Sequence, residues 1–326
     1  MTELKDDFGR RFEYLRLSIT EVCNFRCTYC LPHGYRPSAA GAAPLSGAEV
    51  QQLVMGLAGL GVWKVRLTGG EPTVRRDLVE LVERVAAVEG IRRVALSTNG
   101  HSLAALAAPL ARAGLKQVNV SVDSLEPETF ANITGGARLE RVLDGVDAAF
   151  AAGLEVKVNA VRLRGWNDGE LEAFAAWVHD RPVVVRFIEL MRTGENGAFF
   201  ADRHAPLGDL VERLEAMGFV RRPRAAGDGP AAEFRRPGDL GGLGLIAPTA
   251  AHFCESCNRL RVTSAGRLRL CLFGQGGVDL RPWLQPSFSP EAVGLAVRAA
   301  LAAKPPAHRL AEGVTGDTMN LAAVGG

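Results

Sequence analysis

The chain has 326 residues, of which 47% are hydrophobic, and its formal net charge is +2. This length and apolar content suffice for one large α/β domain or for two domains, and the small net charge argues against a broad nucleic-acid-binding surface. The N-terminal segment alternates acidic and basic residues, and no later uncharged run is long enough to span a bilayer. We therefore expect a cytoplasmic protein that binds neither nucleic acid nor a membrane.

Short runs of β-branched and other apolar residues recur along the chain, and each predicts a strand. They lie at residues 14–20, 62–68, 92–98, 116–122, 155–161 and 183–190. Segments with helical periodicity lie between or after them, at residues 46–60, 75–88, 102–113, 138–152 and 168–179. This alternation predicts an α/β fold with a parallel sheet, either an open doubly wound sheet or an incomplete barrel.

Local signals support the predicted boundaries. Ser46 followed by Glu49 has the spacing of a capping box, which predicts a helix start. Gly61, Gly114 and Gly153 each stand just before a predicted strand, where the preceding helix is expected to end.

The pattern changes at about residue 221, where the sequence becomes rich in Pro, Gly and Arg. Residues 221–244 therefore predict irregular loop or hairpin structure. We expect a domain boundary here, with residues 1–220 forming the α/β unit and residues 221–326 a C-terminal region. A further amphipathic helix is predicted at 290–303.

Three cysteines directly follow the first predicted strand: Cys23, Cys27 and Cys30, with the spacing CxxxCxxC. Three thiolates at this spacing suit an iron-sulfur cluster that has one iron left open for substrate. The alternative is a zinc site completed by His33, because structural zinc normally has four Cys or His ligands.

The remaining cysteines form a second group, Cys254, Cys257 and Cys271, with the spacing CxxC-x13-C. Two groups of three in a long chain with few cysteines indicate metal binding rather than a disulfide framework. A zinc ribbon completed by His252 is the alternative here.

Several cations lie within the predicted strands, and they are candidates for binding an anion. They are Arg16, Arg66, Lys157, Arg259 and Arg261. A cation inside an apolar strand costs several kcal/mol unless an anion meets it, and a triphosphate would be suitable. Pairing with internal acids such as Glu189 or Asp123 is the alternative. Arg259 and Arg261 alternate along one strand, so both are expected on one face, where they would suit a phosphate or a purine edge.

The segment GGEP at residues 69–72 follows the second predicted strand. Its glycines allow a ligand to approach the backbone closely, although such a turn can also simply connect a strand to a helix. The sequence CNFRCTYC followed by GGEP resembles the radical S-adenosylmethionine (SAM) enzymes. In that superfamily three cysteines hold a [4Fe-4S] cluster, and the open iron binds the amino and carboxylate groups of the SAM methionine.

The resemblance extends over almost the whole chain to one family, the molybdenum cofactor biosynthesis protein A family of GTP 3',8-cyclases. The motifs LRLSITEVCNFRCTYC, RLTGGEPTVRRDL, STNG, VNVSVDS, VRFIELM, the CxxC-x13-C group and the terminal Gly325-Gly326 occur in the family's order. This resemblance implies a partial (βα)6 TIM-like barrel with a C-terminal α+β region. That region would carry a second [4Fe-4S] cluster whose open iron meets GTP.

The resemblance also implies roles for individual residues. Cys23, Cys27 and Cys30 would hold the first cluster, and Cys254, Cys257 and Cys271 the second. The residues lining SAM would be Tyr29, Gly70, Ser121 and Met191. The GTP contacts would be Arg16, Arg66, Ser97, Lys157, Arg259, Leu260 through its backbone, and Arg261, which we also take as catalytic. The Gly325-Gly326 tail would reach the active site, because glycines pass a narrow channel without a side-chain clash; a frayed terminus is the alternative.

The implied reaction converts GTP to 3',8-cyclo-7,8-dihydro-GTP, the first step of molybdenum cofactor biosynthesis. A radical formed from SAM would take hydrogen from C3' of GTP, and the sugar carbon would then join C8 of guanine. The implied partners are GTP, a reducing electron donor and the downstream enzyme that forms the pyranopterin, and a homodimer is left open. Two alternatives are a radical SAM peptide maturase with an auxiliary cluster and, in a different class, a zinc-clipped binding protein.

Overall fold

One twelve-stranded sheet organises the residues described in the computed structural model, which are 3–37, 42–223, 229–250, 252–285 and 287–325. The strands are β1 (Tyr14–Ser18), β2 (Lys64–Thr68), β3 (Arg93–Thr98), β4 (Leu115–Ser121), β5 (Glu155–Arg162), β6 (Val184–Glu189), β7 (Val220–Arg221), β8 (Ala232–Arg235), β9 (Gly242–Ile246), β10 (Arg259–Val262), β11 (Arg267–Arg269) and β12 (Val278–Asp279). Their order across the sheet is β12-β11-β10-β1-β2-β3-β4-β5-β6-β9-β8-β7.

The helices cover the sheet between successive strands. They are α1 (Gly47–Ala58), α2 (Leu78–Ala86), α3 (Leu103–Arg112), α4 (Pro127–Thr134), α5 (Leu139–Ala151), α6 (Leu171–Trp177), α7 (Gly197–Arg203), α8 (Gly208–Ala216) and α9 (Pro290–Leu301). Each predicted strand and helix has a counterpart at nearly the predicted residues, whereas α4, α7 and α8 were not predicted. Within the described part of the chain, no helix has both the length and the apolar character needed to cross a membrane.

The central strands are parallel, which confirms the predicted α/β fold. Neighbouring strands from β10 through β1–β6 to β9 pair in parallel, and the outer strands β11, β12, β8 and β7 pair antiparallel. The described strands end at β12 on one side and β7 on the other, so the sheet does not close. This is the arrangement of a partial TIM-like barrel.

The C-terminal part of the chain extends both edges of this sheet. Strand β10 pairs with β1, and β9 pairs with β6, so each edge of the six-stranded unit gains a parallel neighbour. The domain boundary near residue 221 stays a prediction, because one continuous sheet runs through both parts. Residues 224–228 of the predicted loop at 221–244 lie outside the described residues. The parts of the loop on either side of them contribute to β7, β8 and the start of β9.

Two local predictions are confirmed in detail. The Ser46 side chain accepts a hydrogen bond from the Glu49 amide, and the Glu49 carboxylate accepts one from the Ser46 amide, which completes the capping box of α1. Gly61, Gly114 and Gly153 have φ angles of +94°, +104° and +74°, in the region that only glycine adopts without strain.

The alternation of side chains along β1 and β2 separates the core from the interior of the open barrel. Leu15 and Leu17 of β1 and Val65 and Leu67 of β2 are fully buried in the hydrophobic core. The intervening side chains project to the opposite face, where Arg16 lines a cavity. The sheet therefore presents its polar residues to the barrel interior.

Candidate functional site

A first cavity lies against the loop that follows β1. Its lining includes all three cysteines of the first group together with residues from the ends of β2, β3, β4 and β6. The predicted SAM-lining residues are all among them: Tyr29, Gly70, Ser121 and Met191.

The cysteine loop is fixed by hydrogen bonds to its own backbone and to the end of α4. The amides of Cys30 and Leu31 both donate to the Cys27 carbonyl, at 3.0 and 2.9 Å, which closes a tight turn between the second and third cysteines. The amide of Thr28 donates to the Ile133 carbonyl at 2.9 Å, and that of Arg26 to the Thr134 carbonyl. Helix α4 therefore holds the loop.

The environment of these thiols suits a bound cluster. Burial raises the pKa of Cys30 to about 12, even though the backbone N–H groups of Ala322 and Leu321 act to lower it. Burial also raises the pKa of Cys27 well above its usual value. Thiolates here need a strong positive partner such as iron, and N–H groups directed at sulfur are typical of iron-sulfur sites.

The two glycines of the GGEP segment pack against residues 20–22, just before the first cysteine, more closely than any larger residue would allow. A side chain at Gly70 would place its Cβ 2.5 Å from the carbonyl oxygens of Glu21 and Val22, and one at Gly69 would lie 2.3 Å from the Thr20 carbonyl. The glycines thus permit close contact between two backbone segments while Gly70 also lines the cavity.

Two buried acids in this region have their own partners. The Glu71 carboxylate accepts hydrogen bonds from the Thr98 hydroxyl at 2.7 Å and the Asn99 amide at 2.6 Å, so it joins the ends of β2 and β3. Asp123 accepts a hydrogen bond from the Tyr29 hydroxyl at 2.9 Å, and burial raises the pKa of Asp123 to about 6. Tyr29 therefore lines the cavity with its hydroxyl already engaged.

A second cavity lies next to the first and is strongly positive. Its lining contains nine Arg and Lys side chains, and Glu233 is the one carboxylate among the described lining residues. The cations are Arg10, Arg16, Lys64, Arg66, Lys157, Arg186, Arg259, Arg261 and Lys304. A dense cluster of this kind costs stability, and a bound anion would reduce that cost.

Three of these arginines form a row across adjacent strands. Arg16 of β1 pairs in register with Arg261 of β10 on one side and with Arg66 of β2 on the other. Like charges opposite one another destabilise a sheet, so the row in itself costs stability. Burial lowers the pKa of Arg16 to about 10 and that of Arg261 well below its usual value.

The C-terminal tail meets this row. The Gly325 carbonyl accepts hydrogen bonds from Arg16 Nη2 at 3.0 Å, Arg16 Nε at 3.3 Å and Arg261 Nη1 at 3.3 Å. Gly325 has a φ of +65°, and a Cβ there would lie 2.5 Å from Thr68 Cγ2. The structure thus places Gly325 inside the site, while Gly326 lies outside the described residues.

The internal acids considered as partners for the strand cations are engaged elsewhere. Glu189 accepts hydrogen bonds from the His204 ring at 2.8 Å and the Thr249 hydroxyl at 2.6 Å, and Asp123 is bonded to Tyr29 and to the Val161 amide.

Lys157 does have acidic neighbours, Glu155 at 3.4 Å and Glu233 at 3.6 Å. Of the cations predicted from the strands, Lys157 is therefore already partly neutralised.

Sequence reasoning missed Arg186, which lies on β6 and lines the second cavity. It is buried, and its Nε and Nη2 atoms have no hydrogen-bond partner among the described residues. Burial, reinforced by the charge of Arg66, lowers the pKa of Arg186 to about 9. The signal was present, because Arg186 interrupts the apolar run VVVRFIEL just as Arg16 and Arg66 interrupt theirs.

The pKa of Tyr14 reflects the positive charge of the same cavity. Burial alone would raise the pKa of this tyrosine, but the charges of Arg66, Arg16 and Lys64 outweigh burial and hold the pKa at about 7. The Arg66 Nε also donates a hydrogen bond to the Tyr14 hydroxyl. A phenol that ionises near neutral pH indicates an unusually electropositive cavity.

The second cysteine group lies in the wall of this positive cavity. Cys254, Cys257 and Cys271 all line it. Burial would raise the pKa of Cys257, but the charges of Arg259 and Lys304 lower it to about 7. This cysteine is therefore ready to act as a thiolate ligand near neutral pH.

Neither histidine considered as a fourth zinc ligand lines the cavity of its cysteine group. His252 is exposed, and its ring is hydrogen-bonded to Glu255 at 2.5 Å. His33 lines a separate surface hollow beside Tyr35 and Glu195. Each group thus presents three thiols to its cavity, as a cubane with one open iron requires. His308 also lines the second cavity, and its Nε2 is buried without a hydrogen-bond partner among the described residues, so iron and zinc analysis must decide between the two kinds of site there.

The two cavities share lining residues, so they lie side by side. Asn159, Ile188 and Met191 belong to both. Ser97, predicted as a GTP contact, lines the first cavity and accepts a hydrogen bond from Arg66 Nη1 at 3.5 Å, which places it at the junction. Leu260 is fully buried in the core, so only its backbone lies near the site.

Comparisons with known proteins identify the family of the chain. A model described as the radical SAM superfamily matches residues 17–178, and one described as Molybdenum Cofactor Synthesis C matches residues 183–310. The structure of Streptococcus suis SuiB bound to S-adenosylmethionine has a TM-score of 0.63 at 13% identity, covering 93% of this chain and 68% of that one. The likeness to SuiB shows the fold, and the family match places the chain in the radical SAM superfamily.

Closer relatives narrow the assignment. A GTP 3',8-cyclase of Aeromonas hydrophila is 50% identical over 331 residues, which covers 100% of this chain and 97% of the relative. Another, from Stenotrophomonas maltophilia strain R551-3, is 50% identical over 327 residues and covers 100% of both chains. The chain belongs to the GTP 3',8-cyclase family.

Proposed function

We propose that the protein converts GTP to 3',8-cyclo-7,8-dihydro-GTP in the first step of molybdenum cofactor biosynthesis. The observation that carries this proposal is the row of Arg261, Arg16 and Arg66 across three parallel strands, in a cavity that also contains a three-cysteine group. Such a row is unfavourable in itself and becomes favourable when a polyanion such as a triphosphate binds.

The two cysteine groups would each hold a [4Fe-4S] cluster. Cys23, Cys27 and Cys30 would hold the first, with SAM against Tyr29, Gly70, Ser121 and Met191 in the same cavity. Cys254, Cys257 and Cys271 would hold the second, whose open iron would face the nucleotide. When bound, the first cluster and SAM supply the radical chemistry that removes hydrogen from C3' of GTP.

The protein's own residues would bind and orient the nucleotide. Arg16, Arg66, Lys157, Arg259 and Arg261 would neutralise the triphosphate, together with Arg186, so that C3' is held where the first cavity opens into the second. Ser97 and the backbone of Leu260 would complete the contacts. Positioning of this kind lowers the barrier by making the reaction effectively intramolecular, and exclusion of water protects the radical.

The proposal extends to the cellular setting. A low-potential electron donor would reduce the first cluster, and a pyranopterin-forming enzyme would consume the product. The protein is cytoplasmic in this proposal, and no membrane or nucleic acid takes part.

Anaerobic turnover with GTP, SAM and a reductant tests the proposed reaction. We expect 5'-deoxyadenosine and a cyclised nucleotide in comparable amounts, and about eight iron per chain after reconstitution, as two cubanes require. Formation of 5'-deoxyadenosine without a cyclised nucleotide would refute the substrate assignment. Two zinc and no iron would support the zinc-clipped alternative.

Arg261→Ala tests the role of the arginine row. We expect it to reduce cyclisation much more than the uncoupled cleavage of SAM, because SAM lies in the other cavity. Arg267→Ala is the matched control, since Arg267 is exposed two residues before buried Arg269 on β11. Equal losses of both activities in Arg261→Ala would contradict a role in nucleotide binding.

A further inference from the structure

The N-terminal segment before β1 folds back on itself in a way the proposed reaction does not explain. The Phe12 amide donates to the Leu4 carbonyl at 2.9 Å, and Lys5 and Arg11 form an antiparallel bridge. Residues 4–12 therefore form a small hairpin, named here the N-terminal hairpin. Its turn buries two opposite charges, Asp6 and Arg10, which are 9% and 7% exposed.

Asp6 holds Arg10 in a fixed orientation. One carboxylate oxygen accepts hydrogen bonds from the amides of Phe8 and Arg10, both at 3.0 Å. The other oxygen accepts one from Arg10 Nε at 2.6 Å. This pairing balances the buried charge and leaves the two terminal nitrogens of the guanidinium directed away from the hairpin.

Those terminal nitrogens reach two distant segments that surround the second cysteine group. Arg10 Nη1 donates to the carbonyl of Cys254 at 3.3 Å and to that of Pro306 at 2.6 Å, while Nη2 donates to that of Pro305 at 2.8 Å. Arg10 thus ties a cysteine of the second group to the chain that follows α9. A lysine could not make this fork, because it has one nitrogen.

A second buried cation, Lys304, contacts the segment that precedes Cys271. Lys304, directly before Pro305, donates from Nζ to the carbonyl of Leu270, the residue before Cys271. The Lys304 ammonium also lies 5.3 Å from the centre of the Phe12 ring at the end of the N-terminal hairpin. The hairpin therefore supports the loops of both Cys254 and Cys271.

We propose that Asp6, Arg10 and Lys304 are positioning residues that hold the second three-cysteine group in the geometry its cluster needs. This inference rests on the proposed function, because it concerns the second cluster. The reasons are steric and electrostatic: the two cations fix the backbone at two of the three ligands, and their charges favour an anionic cluster held by three thiolates. Groups that orient ligands in this way commonly change metal affinity by 10-fold to 100-fold.

Arg10→Gln tests the proposal through the clusters themselves. It removes the charge and the fork while keeping a polar, though shorter, side chain. We expect the reconstituted variant to lose the second cluster, with iron falling from about eight to about four per chain. It should still cleave SAM without cyclising GTP, because the first cluster lies in the other cavity. Lys304→Met should show the same loss of iron.

Two further variants separate positioning from a general effect on folding. Arg10→Lys keeps the charge without the fork, so we expect partial recovery of the second cluster. Arg11→Gln is the matched control, because Arg11 is the exposed neighbour of Arg10 and pairs with Glu3. It should retain all its iron.

The outcomes are distinct. Eight iron, with an unchanged electron paramagnetic resonance (EPR) spectrum and potential of the second cluster in both Arg10→Gln and Lys304→Met, would refute the positioning role. Loss of both clusters together in Arg10→Gln would refute it as well, because the effect would then be on the whole fold. Four iron in the wild type would instead refute the two-cluster proposal, and the positioning role with it.

Discussion

Replacing Arg186 with methionine should make the protein more stable and a poorer binder of GTP. Arg186 is buried, and its Nε and Nη2 atoms have no partner among the described residues. Its charge therefore costs folding free energy until an anion arrives. Methionine fills a similar volume without a charge, so the substitution removes the cost and the binding contribution together.

The size of the effect follows from the lowered pKa. A fall from 12.5 to about 9 corresponds to roughly 5 kcal/mol at 1.36 kcal/mol per unit. Hydrophobic replacement of buried ions usually recovers about 1–4 kcal/mol, so we expect about 2 kcal/mol and a rise of a few degrees in Tm. Because the folded-state pKa is depressed, the cost is complete below pH 9 and is relieved as the pH rises above it. The advantage of the variant should therefore shrink between pH 8 and pH 10.

Thermal unfolding of the anaerobic, cluster-loaded protein measures the first effect, and titration with GTP measures the second. We expect the Tm of Arg186→Met without GTP to be higher than that of the wild type. Added GTP should raise the Tm of the variant less than it raises that of the wild type. The exposed Arg112 on α3 provides the control, since Arg112→Met should change neither quantity. A lower Tm without GTP, or an unchanged GTP affinity, would refute the reasoning.

Two further predictions concern the same cavity. Because GTP would neutralise the cations that hold the pKa of Tyr14 at about 7, binding should raise that pKa and take up a proton. The affinity for GTP should then fall about fivefold from pH 7 to pH 8. Calorimetry should show this fall in the wild type. An equal fall in Tyr14→Phe would contradict the role of Tyr14. Gly325→Ala should displace the tail carbonyl from Arg16 and Arg261, because the left-handed conformation costs about 1–2 kcal/mol and the new Cβ would meet Thr68 at 2.5 Å. We expect cyclisation to fall about tenfold, as 1.4 kcal/mol implies, while SAM cleavage continues; a parallel fall in both would argue against the tail's role.

The sequence predicts the repeating part of the fold well because periodicity is a local property. Each of the six strands β1–β6 is an apolar run with its own turn signals, so its position does not depend on distant contacts. The short helix α4 was missed because its eight residues, PETFANIT, span only about two turns, too few for the helical period to be clear in the sequence. Contacts between distant segments were not predictable, and the bonds from Arg10 to Cys254 and Pro306 are the clearest case.

The candidate site was partly predictable for a related reason. A cation in an apolar strand is visible in the sequence, and this identified Arg16 and Arg66. That they form one row with Arg261 depends on β10 lying beside β1, a pairing between residues about 245 positions apart that no local pattern specifies. The same rule applied to β6 would have identified Arg186.

The pairing of β10 with β1 also places the two cysteine groups on opposite sides of the arginine row. The two strands are parallel and in register, with Tyr14 opposite Arg259. Cys257 lies just before β10, whereas Cys23 lies after the end of β1. The two groups therefore lie toward opposite ends of the paired strands, and β1 itself spans about 13 Å at 3.3 Å per residue. The arginine row crosses the strands between them, so a nucleotide held by Arg16 and its neighbours would be long enough to meet one group with its base while its ribose faces the other.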